Sequence, residues 1–298
     1  MSTEGILPTS PLNPPDAGTR SRRRPALVAG AVAAVALAAA GTLTASVASA
    51  TPAHEKSAKP TIVLVHGAWA DASSWNGEVT LLQAKGYPVD VAPNPLRGVS
   101  SDSAYLASYL ATITGPIVLV GHSYGGFVIT NAATGNPNVK ALVYVDAFAP
   151  DLGDSIKSLS KGSGSVLEPA ATDPTSVLTL RPYPGAPAGV VDSYVRPEVF
   201  IPGFAGDLSR ADATALAAQQ SPLSTNTLEE ASGEPAWKTI PSWALIGTAD
   251  RVIPRAGQEA MAHRAGAHIT TVNGSHLSLI SHPKAVADVI LEAARATS

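Results

Sequence analysis

The chain has 298 residues, 45% of them hydrophobic and 14% charged, which is enough apolar material for one large core. It contains no cysteine, so disulfides, a thiol nucleophile and thiolate-bound metal are excluded. The formal net charge is −3, and from Thr51 onward 16 basic and 21 acidic residues give −5, which argues against nucleic acid as a partner.

Arg20 and Arg22-Arg23-Arg24 precede an uncharged stretch rich in Ala, Val and Leu from Ala26 to Val47, followed by Ala48-Ser49-Ala50. A basic region, an apolar region and an Ala-x-Ala site are the three parts of a secretory signal peptide. Residues 1–50 are therefore read as a leader of the Sec or twin-arginine kind, the latter hinted at by Ser21-Arg22-Arg23. The competing reading is an uncleaved anchor, since the stretch is long enough to span a bilayer. Weakly apolar Ala and the interspersed Gly and Thr weigh against it. The expectation is a secreted protein with no stable membrane association once the leader is removed.

Residues 51–60 read as a connector ending at Pro60, and the domain proper as 61–298. From Thr61 strands and helices alternate. Predicted strands are Thr61–Val65, Val89–Ala92, Ile117–Val120, Ala141–Val145, Ser242–Ile246 and His268–Val272. Predicted helices are Ser73–Lys85, Ser103–Ile113, Tyr124–Ala133, Arg255–Ala265 and Pro283–Ala294. Short apolar strands separated by helices indicate an α/β fold, a mostly parallel sheet of about six strands with helices on both faces. Active residues then belong beyond the carboxyl ends of the strands. The alternation breaks over about 151–237, a segment rich in Pro, Gly and Ser in which only Ser209–Gln220 has a clear helical pattern, with Ser209 and Asp212 in capping-box spacing. Recurring Trp, Tyr and Phe favour an inserted cap there over a floppy surface insertion.

Gly121-His122-Ser123-Tyr124-Gly125 follows the strand Ile117–Val120 and opens the next helix. A Gly-x-Ser-x-Gly box in that setting reads as a nucleophile elbow, a turn so tight that the positions two before and two after Ser123 must be small. Covalent hydrolysis of an ester needs a nucleophile, a base, a group that orients the base, and donors for the oxyanion. Ser123 is the candidate nucleophile. Of the seven histidines, His276 is the candidate base, because Asn273-Gly274-Ser275-His276 follows the last strand and frees its imidazole to reach over the sheet. His122 lies inside the elbow with its side chain expected to point away from that of Ser123. Asp250, after the penultimate strand, is the candidate acid that accepts from His276 Nδ1, and Asp146, after the strand Ala141–Val145, is its competitor.

The backbone N–H of Tyr124 and that of Ala68, in His66-Gly67-Ala68-Trp69 after the first strand, are the expected oxyanion donors. Trp69 and Tyr124 are also candidate lining for a substrate pocket, with ordinary aromatic packing as the alternative. No histidine pair has the spacing of a zinc-binding helix and no phosphate-binding loop follows a strand, so neither a metal nor a cofactor is expected. Asn273-Gly274-Ser275 matches a glycosylation sequon, but a glycan beside His276 would obstruct the site, and it is read as a turn.

Taken together, His66-Gly67, Gly121-His122-Ser123-Tyr124-Gly125-Gly126, the Asp250 segment and Ser275-His276 resemble the α/β-hydrolase superfamily over about Thr61 to Ala294. The resemblance is closest to the small-esterase branch that also contains the plant methyl esterases and hydroxynitrile lyases. It implies a Ser-His-Asp triad acting on small-molecule carboxylic esters, without a cofactor, beneath a small cap. Where the lyases of that branch have Thr after the first His this chain has Gly67, and where they place Lys beside the catalytic His it has Leu277. Both departures favour hydrolysis. The alternatives are a lyase or cofactor-free perhydrolase on the same scaffold, and a non-catalytic ligand-binding protein.

Overall fold

The computed structural model describes residues 59–297; the leader and most of the connector read from the sequence lie outside the described residues. In chain order the first half contains β1 (Thr61–Val65), α1 (Asn76–Ala84), β2 (Val89–Val91), α2 (Val99–Leu110), β3 (Ile117–His122), α3 (Gly125–Ala132) and β4 (Val139–Val145). An inserted region follows with α4 (Ile156–Ser160), β5 (Leu178–Arg181), β6 (Asp192–Val195), α5 (Pro197–Phe204), α6 (Arg210–Ala218) and β7 (Leu223–Ser224). The chain then returns through β8 (Ser242–Gly247), α7 (Arg255–Arg264), β9 (His268–Val272), α8 (Ser278–Ser281) and α9 (Pro283–Ala296).

The main sheet has the order β2-β1-β3-β4-β8-β9, and every neighbouring pair is parallel. Helices cover both faces, so the inner strands are apolar without alternation: Ile62–Val65, Ile117–Val120 and Leu142–Val145 are all buried. The edge strand β9 is half-exposed and carries polar His268, Thr270 and Thr271, as suits an edge. Strand order reverses between β1 and β3, with β2 on one side of β1 and β3 on the other. In open parallel sheets that reversal leaves a crevice at the carboxyl ends of the two strands.

The last helix shows how sequence becomes packing. Val286, Val289, Ile290, Ala293 and Ala294 recur at helical spacing, and all are buried against the sheet. Pro283 opens the helix, where its missing N–H costs nothing. α2 begins at Val99, four residues earlier than its predicted start at Ser103. There Asp102, in the first turn, reaches back to accept the N–H of Arg97 at 3.1 Å with both oxygens and that of Gly98 at 3.5 Å, which fixes the chain's entry into a helix whose N-cap, Gly98, has no side chain.

The inserted region is more ordered than its composition suggests. β5, β6 and β7 form an antiparallel sheet with β6 in the middle. α6 lies inside the predicted helix, with Ser209 Oγ accepting the Asp212 N–H at 3.1 Å. The region is fastened to the main sheet's loops at separate points: Arg97 pairs with Asp192 at 2.5 Å, Ser224 N donates to Leu96 O at 3.0 Å, and Val166 N donates to Arg251 O at 2.9 Å. No helix among the described residues is long and apolar enough to cross a membrane.

Candidate active site

The turn from β3 into α3 forces Ser123 into the left-handed region, with φ of 52°. A side chain there is strained, which is the usual cost of presenting a nucleophile on so sharp a turn. The turn closes only because its flanks are bare: a Cβ on Gly121 would sit 2.6 Å from Gly125 O, and one on Gly125 would sit 2.6 Å from Val65 O.

Three residues expected to act together are brought together. Ser123 Oγ lies 2.8 Å from His276 Nε2, and His276 Nδ1 lies 2.8 Å from Asp250 Oδ2. The carboxylate accepts further donors: Val252 N at 2.8 Å and Ile253 N at 3.0 Å on Oδ1, and Gln258 Nε2 at 2.8 Å on Oδ2. With Oδ2 accepting from Nδ1–H, the ring's Nε2 lone pair faces the hydroxyl of Ser123. His276 is fully buried, and burial lowers its pKa to about 3, so the ring is neutral at rest. Burial pushes the Asp250 carboxyl up, while its backbone and Gln258 donors pull it back.

Asp146 does not take the acid's place. Its carboxylate accepts the N–H of Gly247 at 2.6 Å and bonds the hydroxyl of Ser278, and it makes no hydrogen bond to the His276 ring among the described residues. It thereby joins the turn before Asp250 to the residue two beyond His276. Burial, then the neighbouring charge of Asp250, raises its pKa well above the usual carboxylate range.

Several supporting contacts had no signature in the sequence. His122 is buried, as expected, but it is not idle: its Nε2–H donates to His276 O at 2.9 Å. Ser275 N donates to Asp207 Oδ2 at 3.1 Å, and its hydroxyl reaches Phe204 O at 2.8 Å, so the turn before His276 is tied to the inserted region. Phe204 meets the His276 ring edge-on at 5.2 Å and the Trp69 ring at 5.9 Å. Gln258 offered only a position eight residues after Asp250, which is no signal.

Ala68 and Tyr124 flank Ser123, and among the described residues neither backbone N–H donates to a protein acceptor. Trp69 has φ of 56° and donates its indole N–H to Ser193 O at 3.0 Å on β6. Tyr124 donates its hydroxyl to Asp102 at 2.7 Å, so its ring is directed toward α2 while the residue still borders the site. Above Ser123 opens a cavity of about 320 Å³ walled by Trp69, Tyr124, Phe148, Leu178, Leu223 and Val252. A pocket of that size, its lining mostly apolar with Lys157, Lys161, Glu168 and Glu229 also on its wall, fits a small organic molecule. No cluster of three or more potential metal-ligating side chains occurs among the described residues.

Comparison with known proteins agrees with this architecture. A carbendazim hydrolyzing esterase from Nocardioides sp. (strain SG-4G) is 34% identical over 110 residues, which is 33% of this chain and 46% of that protein, so the match spans about half of the relative's length. A pyrethroid hydrolase from Sphingobium wenxiniae is 26% identical over 270 residues, covering 79% of this chain and 88% of that one. The crystal structure of polyneuridine aldehyde esterase superposes with a TM-score of 0.65 at 20% identity, covering 78% of this chain and 98% of the other, which bears on the fold. The family described as the alpha/beta hydrolase family matches residues 62–289, and with the parallel sheet and the Ser123 elbow this places the chain in the alpha/beta hydrolase family.

Proposed function

We propose that this protein is an exported serine hydrolase that cleaves small to medium carboxylic esters through an acyl-enzyme. The observation that carries this reading is the continuous hydrogen-bonded line Ser123–His276–Asp250, ending on a hydroxyl that borders an apolar cavity. Ser123 Oγ attacks the ester carbonyl carbon while its proton passes to His276 Nε2. Asp250 holds the ring's orientation and stabilises the imidazolium. The N–H groups of Ala68 and Tyr124 meet the negative charge that develops on the carbonyl oxygen. His276 returns the proton to the leaving alcohol as the C–O bond breaks, leaving the acyl group on Ser123. Water then gives a proton to the same ring and attacks the acyl carbon, releasing the acid and restoring the hydroxyl.

No step calls for a metal or cofactor. The relatives named for esterase and hydrolase activity support an ester substrate. A lyase reading is disfavoured at Gly67, where a Cβ would lie 2.8 Å from both His122 Nδ1 and Ser123 Cβ, so a hydroxyl-bearing side chain does not fit. The leader fits this reading as an export signal, with cleavage near Ala50, and N-terminal sequencing of protein from culture medium tests it. Labelling with a fluorophosphonate probe, followed by a screen of esters graded in acyl and alcohol size, tests the chemistry. Labelling abolished in Ser123→Ala, with turnover of at least one ester, supports the proposal. A wild-type protein that neither labels nor turns over any ester of the screen overturns it.

A further inference from the structure

A second hollow of about 380 Å³ lies against the first cavity, walled by Leu159, Val252, Ile253, Pro254, Gly257 and Met261. Phe148, Ser160 and Val252 belong to the walls of both, so these three residues form the partition between them. We propose that this hollow is a second substrate chamber, which receives the far end of one long, unbranched alkyl arm of an ester whose carbonyl rests on Ser123. The proposal builds on the ester-hydrolase reading and extends it to a class of substrate.

Three observations carry it. The lining is chiefly apolar, and its one cation is already engaged: the Arg264 guanidinium donates to Asp154 at 2.8 Å and to Ala149 O at 3.1 Å. The charge of Arg264 is thus balanced by Asp154 at the edge of the hollow, and the Leu159, Val252, Ile253, Pro254 and Met261 wall offers an alkyl chain apolar surface in place of water. The partition is also narrow in chemical terms, one aromatic ring, one small hydroxyl side chain and one valine. Phe148 is backed by Phe127 at 5.3 Å between ring centres, so the ring is held in place at the boundary of the two hollows. Finally, a carbonyl at Ser123 has two arms to place. The first cavity offers the wall of Leu178, Leu180 and Leu223 on the inserted sheet's side, and Phe148 and Val252 stand on the side that leads to the second hollow.

Each methylene buried there adds about fourfold to the binding of the transition state. Turnover measured as kcat/KM tests the proposal in two series, p-nitrophenyl esters from butyrate to dodecanoate and alkyl acetates from butyl to dodecyl, each below its aggregation limit. Gly257→Phe is the blocking variant: Gly257 lines the hollow, and a Cβ there meets nothing within 4 Å, so a side chain starts from it into open space. Ala260→Trp, from an exposed position of α7 on the same wall, is a second blocking variant should the first fold poorly. The expected result is that the ratio of long-chain to butyl kcat/KM falls at least tenfold in one of the two series, and that Phe148→Ala, which widens the partition, raises the same ratio. Ratios in both series that stay within twofold of wild type in folded blocking variants overturn the second chamber and leave the hydrolase reading standing. No turnover of any ester by wild type, together with no fluorophosphonate labelling, overturns the hydrolase reading and this inference with it.

Discussion

His122 Nε2–H donates to the carbonyl oxygen of His276 at 2.9 Å, so the residue just before the candidate nucleophile holds the backbone of the candidate base. The two rings lie 4.9 Å apart, and both are buried. One elbow residue thus fixes the distance across which a proton is to move. His122→Phe keeps the ring's bulk and removes the donor, leaving a buried carbonyl without its partner. The expected cost is about 1–3 kcal/mol of stability in urea unfolding. A fall in kcat with KM little changed is expected alongside it, because the bond orients a base and does not touch substrate.

Ser123→Ala is expected to lower kcat by about 10⁴-fold or more, the residual rate coming from the oxyanion donors. The backbone offers a second readout. Ser123 holds φ of 52°, so Ser123→Gly should be more stable than Ser123→Ala by about 1 kcal/mol, since only glycine adopts that conformation without strain. Denaturant midpoints of the two inactive variants measure it. Equal midpoints would show that the elbow stores no strain.

The pH profile follows from burial. An imidazole in water titrates near its ordinary value of 6.5, and burial lowers that of His276 to about 3. A base whose charged form is disfavoured stays neutral, and therefore competent, as the pH falls below 6.5. The acid limb of kcat/KM for a non-ionising ester is expected to have its midpoint below that value. A midpoint at or above 6.5 would mean that Asp250 stabilises the imidazolium in the resting protein more than burial opposes it.

What the sequence made legible is what local chemistry determines. Strands buried on both faces announce themselves as unbroken apolar runs, and all six in the main sheet lie within two residues of their predicted bounds. β4 began two residues before its predicted start, with Val139 buried and Lys140 exposed at its outset. The elbow was readable because Gly121, Ser123 and Gly125 answer a steric demand inside five residues. Contacts between distant segments were not. β6 pairs Ser193 with Leu180 on one side and with Leu223 on the other, in strands of four residues or fewer set among Pro and Gly. Nothing local selects those partners, so the inserted sheet was invisible while α6, with its Ser209 cap, was not. Asp207, Gln258 and Ser278 support the site through side-chain bonds to loops eight to 132 residues away, and a single sequence carries no trace of such pairings.

Glu78 gives a prediction about stability. It is fully buried on α1, both carboxyl oxygens lack a partner among the described residues, and burial raises its pKa from 4.5 to about 9. The folded protein keeps this proton where the unfolded chain has released it, so wild-type stability falls as the pH rises from about 4.5 toward 9. Glu78→Gln is neutral in both states and lacks this dependence. Its urea midpoint should exceed that of wild type by a margin that widens between pH 5 and pH 9. A constant margin would place the carboxylate in contact with water.

Asp250 and Asp146 make the sharpest contrast, because both are buried acids at the ends of neighbouring strands and differ in what they bond. Asp250 bonds the His276 ring, and Asp146 bonds Gly247 N and the Ser278 hydroxyl. Asp250→Asn places an amide where Nδ1–H needs an acceptor, which favours the wrong tautomer, and kcat should fall by about 10³–10⁴-fold with KM little changed. Asp146→Asn retains an oxygen for Gly247 N, and its amide can donate to the Ser278 oxygen, so kcat should stay within about tenfold of wild type. Asp146→Ala strips both partners and should cost about 1–3 kcal/mol of stability. Measuring kcat, KM and urea midpoints for the three variants separates an acid that orients the base from one that ties two loops together. If Asp146→Asn lost activity by the larger factor while Asp250→Asn kept it, the roles assigned to the two carboxylates would have to be exchanged.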